Sequence, residues 1–340
     1  MVLGACCLDF CDKPARHVCS ACKEARYCCQ SHQREAWKTH KGECKLVQEH
    51  RRNCASVVEE LKCHSADAEK VRIELERFVK LVESNARNSE RLVAAGAIET
   101  VIHAGETQRE SVDVQENVLA AVFALLVSAS GDEEEGRKTQ LADAGCLELA
   151  TAALTTHSSE ARLTAKACKV LRRCVDGEDE DGVETRCERA TGCGAIEAVV
   201  AAMDASAAIA PSDAPASVPA SEPGNAPPKH DWPKLVAEEG CGALCILTYG
   251  REDSEAAARS QLAASAGAIE AIVRSMNAYA AASSLQGQAC SALTNICAGF
   301  DEEAVARRTR ANDAGAVEAV QAAGDVGGRG ELALDALRLE

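Results

Sequence analysis

Eight of the chain's 19 cysteines fall within its first 44 residues, together with His17, His32 and His40. Thiols and imidazoles at that density repel one another or oxidise unless a soft divalent cation holds them. Zinc does so tetrahedrally, with four Cys or His donors in each structural site. Cys19 and Cys22 form a Cys-x2-Cys knuckle, a tight turn that presents two sulfurs to one metal. Cys28 and His32 are four residues apart, as are His40 and Cys44, which places each pair on one face of a short helix. The full order is Cys7-x3-Cys11-x7-Cys19-x2-Cys22-x5-Cys28-x3-His32-x7-His40-x3-Cys44. A segment this short has little apolar core of its own, so the metal has to fold it.

This order resembles the MYND-type zinc finger. Tyr27-Cys28 matches that family's Tyr-Cys step, Gln33 follows the sixth donor, and Trp37-Lys38-Thr39-His40-Lys41 matches its Trp-x2-His-Lys run. Two departures stand out. Leu8 occupies the place of a usual cysteine, so Cys7 is taken as the first ligand with Cys6 as the fallback, and His32 replaces the usual sixth cysteine. The resemblance implies interleaved sites: Cys7, Cys11, Cys28 and His32 around one zinc, and Cys19, Cys22, His40 and Cys44 around the other. Two closed Cys3His sites have no open coordination position, so both ions are structural. The resemblance also places Gln33 and Trp37 beside a groove for short proline-containing peptides. Trp37 as a plug for the finger's small core is the competing reading. His17 and Cys29 are left as spectators.

Beyond Cys44 the pattern becomes helical. Glu49–Lys62 and Ala68–Val82 carry apolar residues at helical spacing and read as a bridge and amino-terminal cap. A unit then recurs at Gly96-Ala97-Ile98-Glu99, Gly145-Cys146-Leu147-Glu148, Gly194-Ala195-Ile196-Glu197, Gly267-Ala268-Ile269-Glu270 and Gly315-Ala316-Val317-Glu318. Its glycines are spaced 49, 49, 73 and 48 apart. The long interval contains a Pro/Ala-rich insert at 205–229, expected to be disordered. Such periodicity marks a stacked array, and each unit reads as short, short and long helices. With this glycine, and with Ala292-Leu293-Thr294-Asn295-Ile296-Cys297, the unit resembles the armadillo repeat. The expected organisation is a finger at 1–48, a helical bridge and cap at 49–82, and about five armadillo-like repeats at 83–340. The fold class is mostly α, a small cross-braced two-zinc finger followed by an armadillo/HEAT-like solenoid. With aromatics at only 3%, the composition also suits helices packed on small residues. Cysteines of the array such as Cys168, Cys174, Cys241, Cys245, Cys290 and Cys297 sit on apolar faces and read as core.

Net charge is −16, with eight basic and six acidic residues in 1–50, leaving 29 of the 37 basic and 47 of the 53 acidic side chains to the rest. A field of that sign disfavours nucleic acid and anionic membranes as partners. Four acidic runs recur between units, at 131–136, 177–182, 250–253 and 300–303, and read as an acidic edge able to dock a basic partner. The peptide-holding asparagine ladder of some armadillo proteins is not reproduced, since the aligned positions are Val127, Arg173, Ile246 and Asn295. Many free cysteines without a signal peptide indicate a reducing, intracellular location, cytoplasmic or nuclear. The longest apolar stretch, Val118–Val127, is too short to cross a bilayer. The expected function is a non-catalytic interaction adaptor. A methyltransferase-related enzyme is the alternative, disfavoured because the SET-domain motifs are missing.

Overall fold

The structure is a computed structural model that describes residues 6–8, 11–209, 231–250 and 254–338. Among these residues are one two-stranded sheet and seventeen helices. The sheet is a hairpin of β1 (His17–Val18) and β2 (Arg26–Tyr27), paired antiparallel with His17 opposite Tyr27. It precedes α1, which runs unbroken from Gln30 to Cys63. Nothing between Cys44 and Asn53 is a helix breaker, so the finger's last helix and the expected bridge are one element. Position 48 lies inside it.

This single helix serves two cores. Ala36, Cys44 and Val47 pack with Cys6, Cys19, Cys22 and Tyr27. Further along, Cys54, Val57, Val58 and Leu61 join the continuous core of the array. The array opens with α2 (Ala68–Ser84), whose first turn is capped by the Asp67 carboxylate accepting from the Lys70 N–H.

Fifteen helices follow in five triplets. They are α3 (Arg87–Ala94), α4 (Ala97–Thr107) and α5 (Val112–Val127); α6 (Asp132–Asp143), α7 (Cys146–Thr156) and α8 (Ala161–Val175); α9 (Glu180–Gly192), α10 (Ala195–Ile209) and α11 (Trp232–Leu247). Then come α12 (Ser254–Ala266), α13 (Ala268–Ala278) and α14 (Ser283–Cys297), and α15 (Glu302–Asp313), α16 (Ala316–Ala323) and α17 (Arg329–Ala336). The recurring glycine separates the first and second helix of each triplet. At Gly145 φ is +100°, a left-handed turn that a side chain at Cβ would strain. Third helices stack in a row (α5 on α8, α8 on α11, α11 on α14, α14 on α17), and α2 packs on α5 to close the amino-terminal end. Of the insert expected at 205–229, residues 205–209 complete α10, and 210–229 lie outside the described residues.

A feature unread in the sequence holds consecutive triplets together. Arg137, Arg186, Arg259 and Arg307 each stand eight residues before a recurring glycine, and all four are buried. Each donates to a carbonyl at the end of the preceding third helix: Leu125, Val175, Tyr249 and Ile296 respectively. Arg186 also pairs with Glu135 of the previous triplet at 2.9 Å, and Arg259 with Glu184. The guanidinium thereby supplies a donor to carbonyls at or just beyond the helix end, which lack partners within the helix.

The acidic runs prove to be helix starts as much as loops. Glu133–Glu135 lie in the first turn of α6, Glu180 and Asp181 in that of α9, and Glu302 and Glu303 in that of α15. There they complement the positive end of the helix dipole. Glu134 pairs with Lys138 and Arg173, and Glu135 with Lys138 and Arg186, so those two carboxylates are engaged within the fold. Residues 251–253 lie outside the described residues. Cys168, Cys174, Cys241, Cys290 and Cys297 are buried and Cys245 is half-buried. Burial pushes the thiols of Cys168 and Cys297 up to about 12, as expected of packing side chains.

Candidate metal centre

The finger's hairpin and the start of α1 bring Cys and His side chains into two groups of four. One comprises Cys6, Cys11, Cys28 and His32, the other Cys19, Cys22, His40 and Cys44. Within each, all donor atoms lie within 4.8 Å of one another. A tetrahedron with zinc–sulfur bonds of about 2.3 Å and zinc–nitrogen bonds of about 2.0 Å has edges of about 3.8 Å between sulfurs and about 3.5 Å from sulfur to nitrogen. The structure gives 3.8 Å for Cys11–Cys28 and 3.9 Å for Cys19–Cys44. It gives 3.3 Å from Cys28 to His32 Nδ1, 3.7 Å from Cys6 to His32 Nδ1, and 3.5 Å from Cys22 to His40 Nε2. Two zinc ions fit these two donor sets.

One expected ligand is corrected. Cys6, not Cys7, stands with Cys11, Cys28 and His32. The backbone here runs beside β2, with the Cys6 N–H donating to the Lys13 carbonyl and the Cys7 N–H to the Arg26 carbonyl. The chain bends at Cys7 and Leu8, so the two neighbouring cysteine side chains face different ways. Cys6 therefore turns into the finger and is buried. Cys7 is exposed, and its sulfur accepts from the Arg26 N–H at 3.3 Å. The other seven expected ligands fall in the expected groups.

The thiol chemistry shows why a cation is required. Burial resists ionisation of Cys6, yet the backbone N–H groups of Leu8 and Cys28, and then His32, bring its thiol down to about 6. Cys19 is likewise lowered to about 6 against burial, by the Cys22 N–H and then His40. Their neighbours pay the electrostatic cost: burial and the crowding of Cys11, Cys29 and Cys6 push Cys28 up to about 12. A divalent cation removes this conflict by stabilising all three thiolates of a group together.

Tyr27 closes the second group from inside. Its buried ring meets the His40 ring edge-on, at 6.2 Å between centroids and 73°. Trp37 also meets the His40 ring edge-on, at 6.0 Å and 63°, but is 42% exposed and stands outside the finger's buried cluster. Gln33 is half-buried one turn before it on α1.

The finger is also fixed to the array. Glu24, in the loop after the knuckle, accepts two hydrogen bonds from Arg91 of α3, at 2.7 and 2.9 Å. Arg91 in turn donates to Asn88 at 2.6 Å, and Arg51 of α1 donates to the carbonyl of Cys22. The hydrogen bond from Arg91 holds the Glu24 carboxyl below the usual carboxylate range, over the opposing effect of burial. None of these contacts was readable in sequence, because Glu24 and Arg91 are brought together only by the path of α1.

Residues 6–44 match the family model of the MYND finger. The two Cys/His groups therefore belong to a recognised structural zinc module, and the finger is the amino-terminal domain of this chain. No curated protein matches the chain significantly. Among solved structures, an engineered protein from a structural genomics programme aligns with 22% identity and a TM-score of 0.60, covering 84% of this chain and 98% of its own. A computationally designed armadillo repeat protein for modular peptide recognition aligns with 19% identity and a TM-score of 0.58, covering 83% and 98%. A designed armadillo repeat protein in complex with a (KR)4 peptide aligns with 19% identity and a TM-score of 0.57, covering 84% and 99%. The array thus has the armadillo fold.

Proposed function

We propose that this chain is an interaction adaptor in which the finger reads a short proline-containing peptide and the helical array docks a second protein. The observation that carries the first half is the position of Trp37. Its large ring stands exposed over His40 instead of filling the finger's core, and Gln33 lies one turn away on the same side of α1. An exposed aromatic face with an amide nearby suits proline, whose fixed geometry lowers the entropy lost on binding.

Fluorescence titration of the zinc-loaded chain with proline-containing peptides tests this reading. With the label on the peptide and anisotropy as the readout, Trp37→Ala should abolish binding. Equal binding by the Trp37→Ala variant would sink the proposal.

For the array, the armadillo fold and its designed peptide-binding neighbours support a protein or peptide partner. The exposed Glu133, Asp179, Asp181, Glu302 and Glu303 support a basic one at the acidic edge. Neutralising Glu133 and Asp179 should slow capture of a basic peptide at low salt, where screening is weakest. Association indifferent to salt and to both substitutions would leave these carboxylates with only their role at the helix starts. The domain content is that of interaction modules, and it gives the methyltransferase alternative no support. Among the described residues no helix is long and apolar enough to cross a membrane. The many free thiols support work in a reducing compartment, cytoplasm or nucleus.

A further inference from the structure

The charge of the molecule is distributed against its average at the seam between finger and array. An open cleft of about 590 Å³ there is lined by Lys23, Arg26, Arg51, Arg87 and Arg91. Glu24 and Glu90 are its only carboxylates among the lining residues. Five cations against two anions, in a chain of net charge −16, is a local reversal of sign.

The internal pairing sharpens the excess. Glu24 is taken by Arg91, whose side chain is 7% exposed and which is fixed further by Asn88. Arg87 reaches Glu24 only at 3.8 Å and remains 68% exposed. Lys23, Arg26 and Arg51 are exposed as well. Glu24 shows what the cleft attracts, since its carboxylate already sits on a guanidinium fork. Four more cations then face one remaining carboxylate. Like charges at close quarters repel, and an arrangement of this kind is stabilised by an anion from outside.

We propose that the seam is a binding site for a phosphorylated side chain of a partner peptide. A phosphoserine carries about −1.5 to −2 charges and three acceptor oxygens, which suits several convergent guanidinium groups better than a single carboxylate does. The cleft is far larger than one phosphate group, so it admits the flanking peptide. The small side chains of Ala55, Ala94 and Ala95 leave room for that backbone. The site is composite. Lys23 and Arg26 come from the zinc-held hairpin, Arg51 from the shared helix, and Arg87 and Arg91 from the first repeat. Zinc loading is therefore a condition for the site to exist.

The test uses the zinc-loaded full chain, immobilised and exposed to a library of eight-residue peptides with randomised flanks around a central phosphoserine. Matched libraries carry Ser or Glu at that position. The phosphoserine library should be retained at least tenfold more than either. Arg26→Gln combined with Arg87→Gln alters one exposed cation on each side of the seam and spares every zinc ligand. It should bring retention down to the level of the Ser library, with unchanged zinc content and helicity. Chelation of zinc should do the same, whereas Trp37→Ala should not, which separates this site from the proline-peptide reading. Equal retention of the three libraries, an unaffected double variant, retention by the zinc-free chain, or displacement of the phosphopeptides by a single-stranded oligonucleotide would each overturn the proposal.

Discussion

Replacing Cys22 by Ser removes one donor from the inner Cys/His group, and the structure fixes how far the damage should spread. Among the described residues, the finger's buried side chains beyond its cysteines and His40 are Ala15, Tyr27, Ala36 and Val47. Burying even the largest of these contributes about 1.5–3 kcal/mol, against an ordering cost of about 1–2 kcal/mol for every residue of the segment. Zinc supplies the difference, at about 10–16 kcal/mol for each structural ion. The two groups interleave along the chain, so loss of the inner ion also releases the hairpin that presents Cys28. The finger should therefore unfold as a whole, and the first half of α1, whose buried side chains face only the finger, should fray with it. Unfolding should stop near Cys54, because Cys54, Val57, Val58 and Leu61 belong to the array's core. The array then loses chiefly the contacts of Arg91 and Arg87 with Glu24, about 1–2 kcal/mol together, since Arg87 is largely exposed. Its melting temperature should fall by about 2–4 °C. Hydrogen exchange on the full chain resolves the boundary: amides of 30–47 should lose protection while those of 54–61 keep it. Loss of protection in both segments, or a fall in the array's melting temperature of more than twice the figure above, would refute the separation of the two cores.

Three further outcomes follow from the same structure. Arg186→Met keeps apolar bulk but strips donors from the Val175 carbonyl and Glu135; it should cost about 2–4 kcal/mol in urea unfolding, and a loss within error of zero would deny the buried arginines their role between triplets. Gly145→Ala forces a Cβ into a left-handed turn at φ +100° and should cost about 1–2 kcal/mol, whereas the same change at Gly42, inside α1 with open space around it, should be neutral or stabilising. The Glu24 carboxyl is lowered in the folded state, so its contribution is present above the unfolded carboxylate value and disappears as pH falls through the lower folded one. Glu24→Gln should flatten that part of the stability profile below about pH 4.5, and an unchanged profile would show the pair to be idle.

The sequence alone determined the metal count, the repeat period and the order of helices, because each is a local property. Ligand spacing along a knuckle or a helix face is set by a few dihedral angles, and a recurring left-handed turn favours glycine wherever the repeat places it. The choice between Cys6 and Cys7 was not local in that sense. Both satisfy the spacing, and only the pairing of this bent segment beside β2 decides which of two successive side chains points inward. The acidic runs were legible as a period, but their engagement was not, since Glu135 meets Arg186 across more than a full repeat. The arginines standing eight residues before four of the five recurring glycines carried a readable signal in their register, but only the stacked helices reveal the carbonyls they meet. The continuity of α1 could have been read from the lack of a breaker between Cys44 and Asn53. What tertiary structure alone decided is the seam, where a rigid helix carries a zinc-held loop back onto the first repeat. Glu24 and Arg91 are 67 residues apart in the chain, and no pattern along it records that they, and the cations around them, share one cleft.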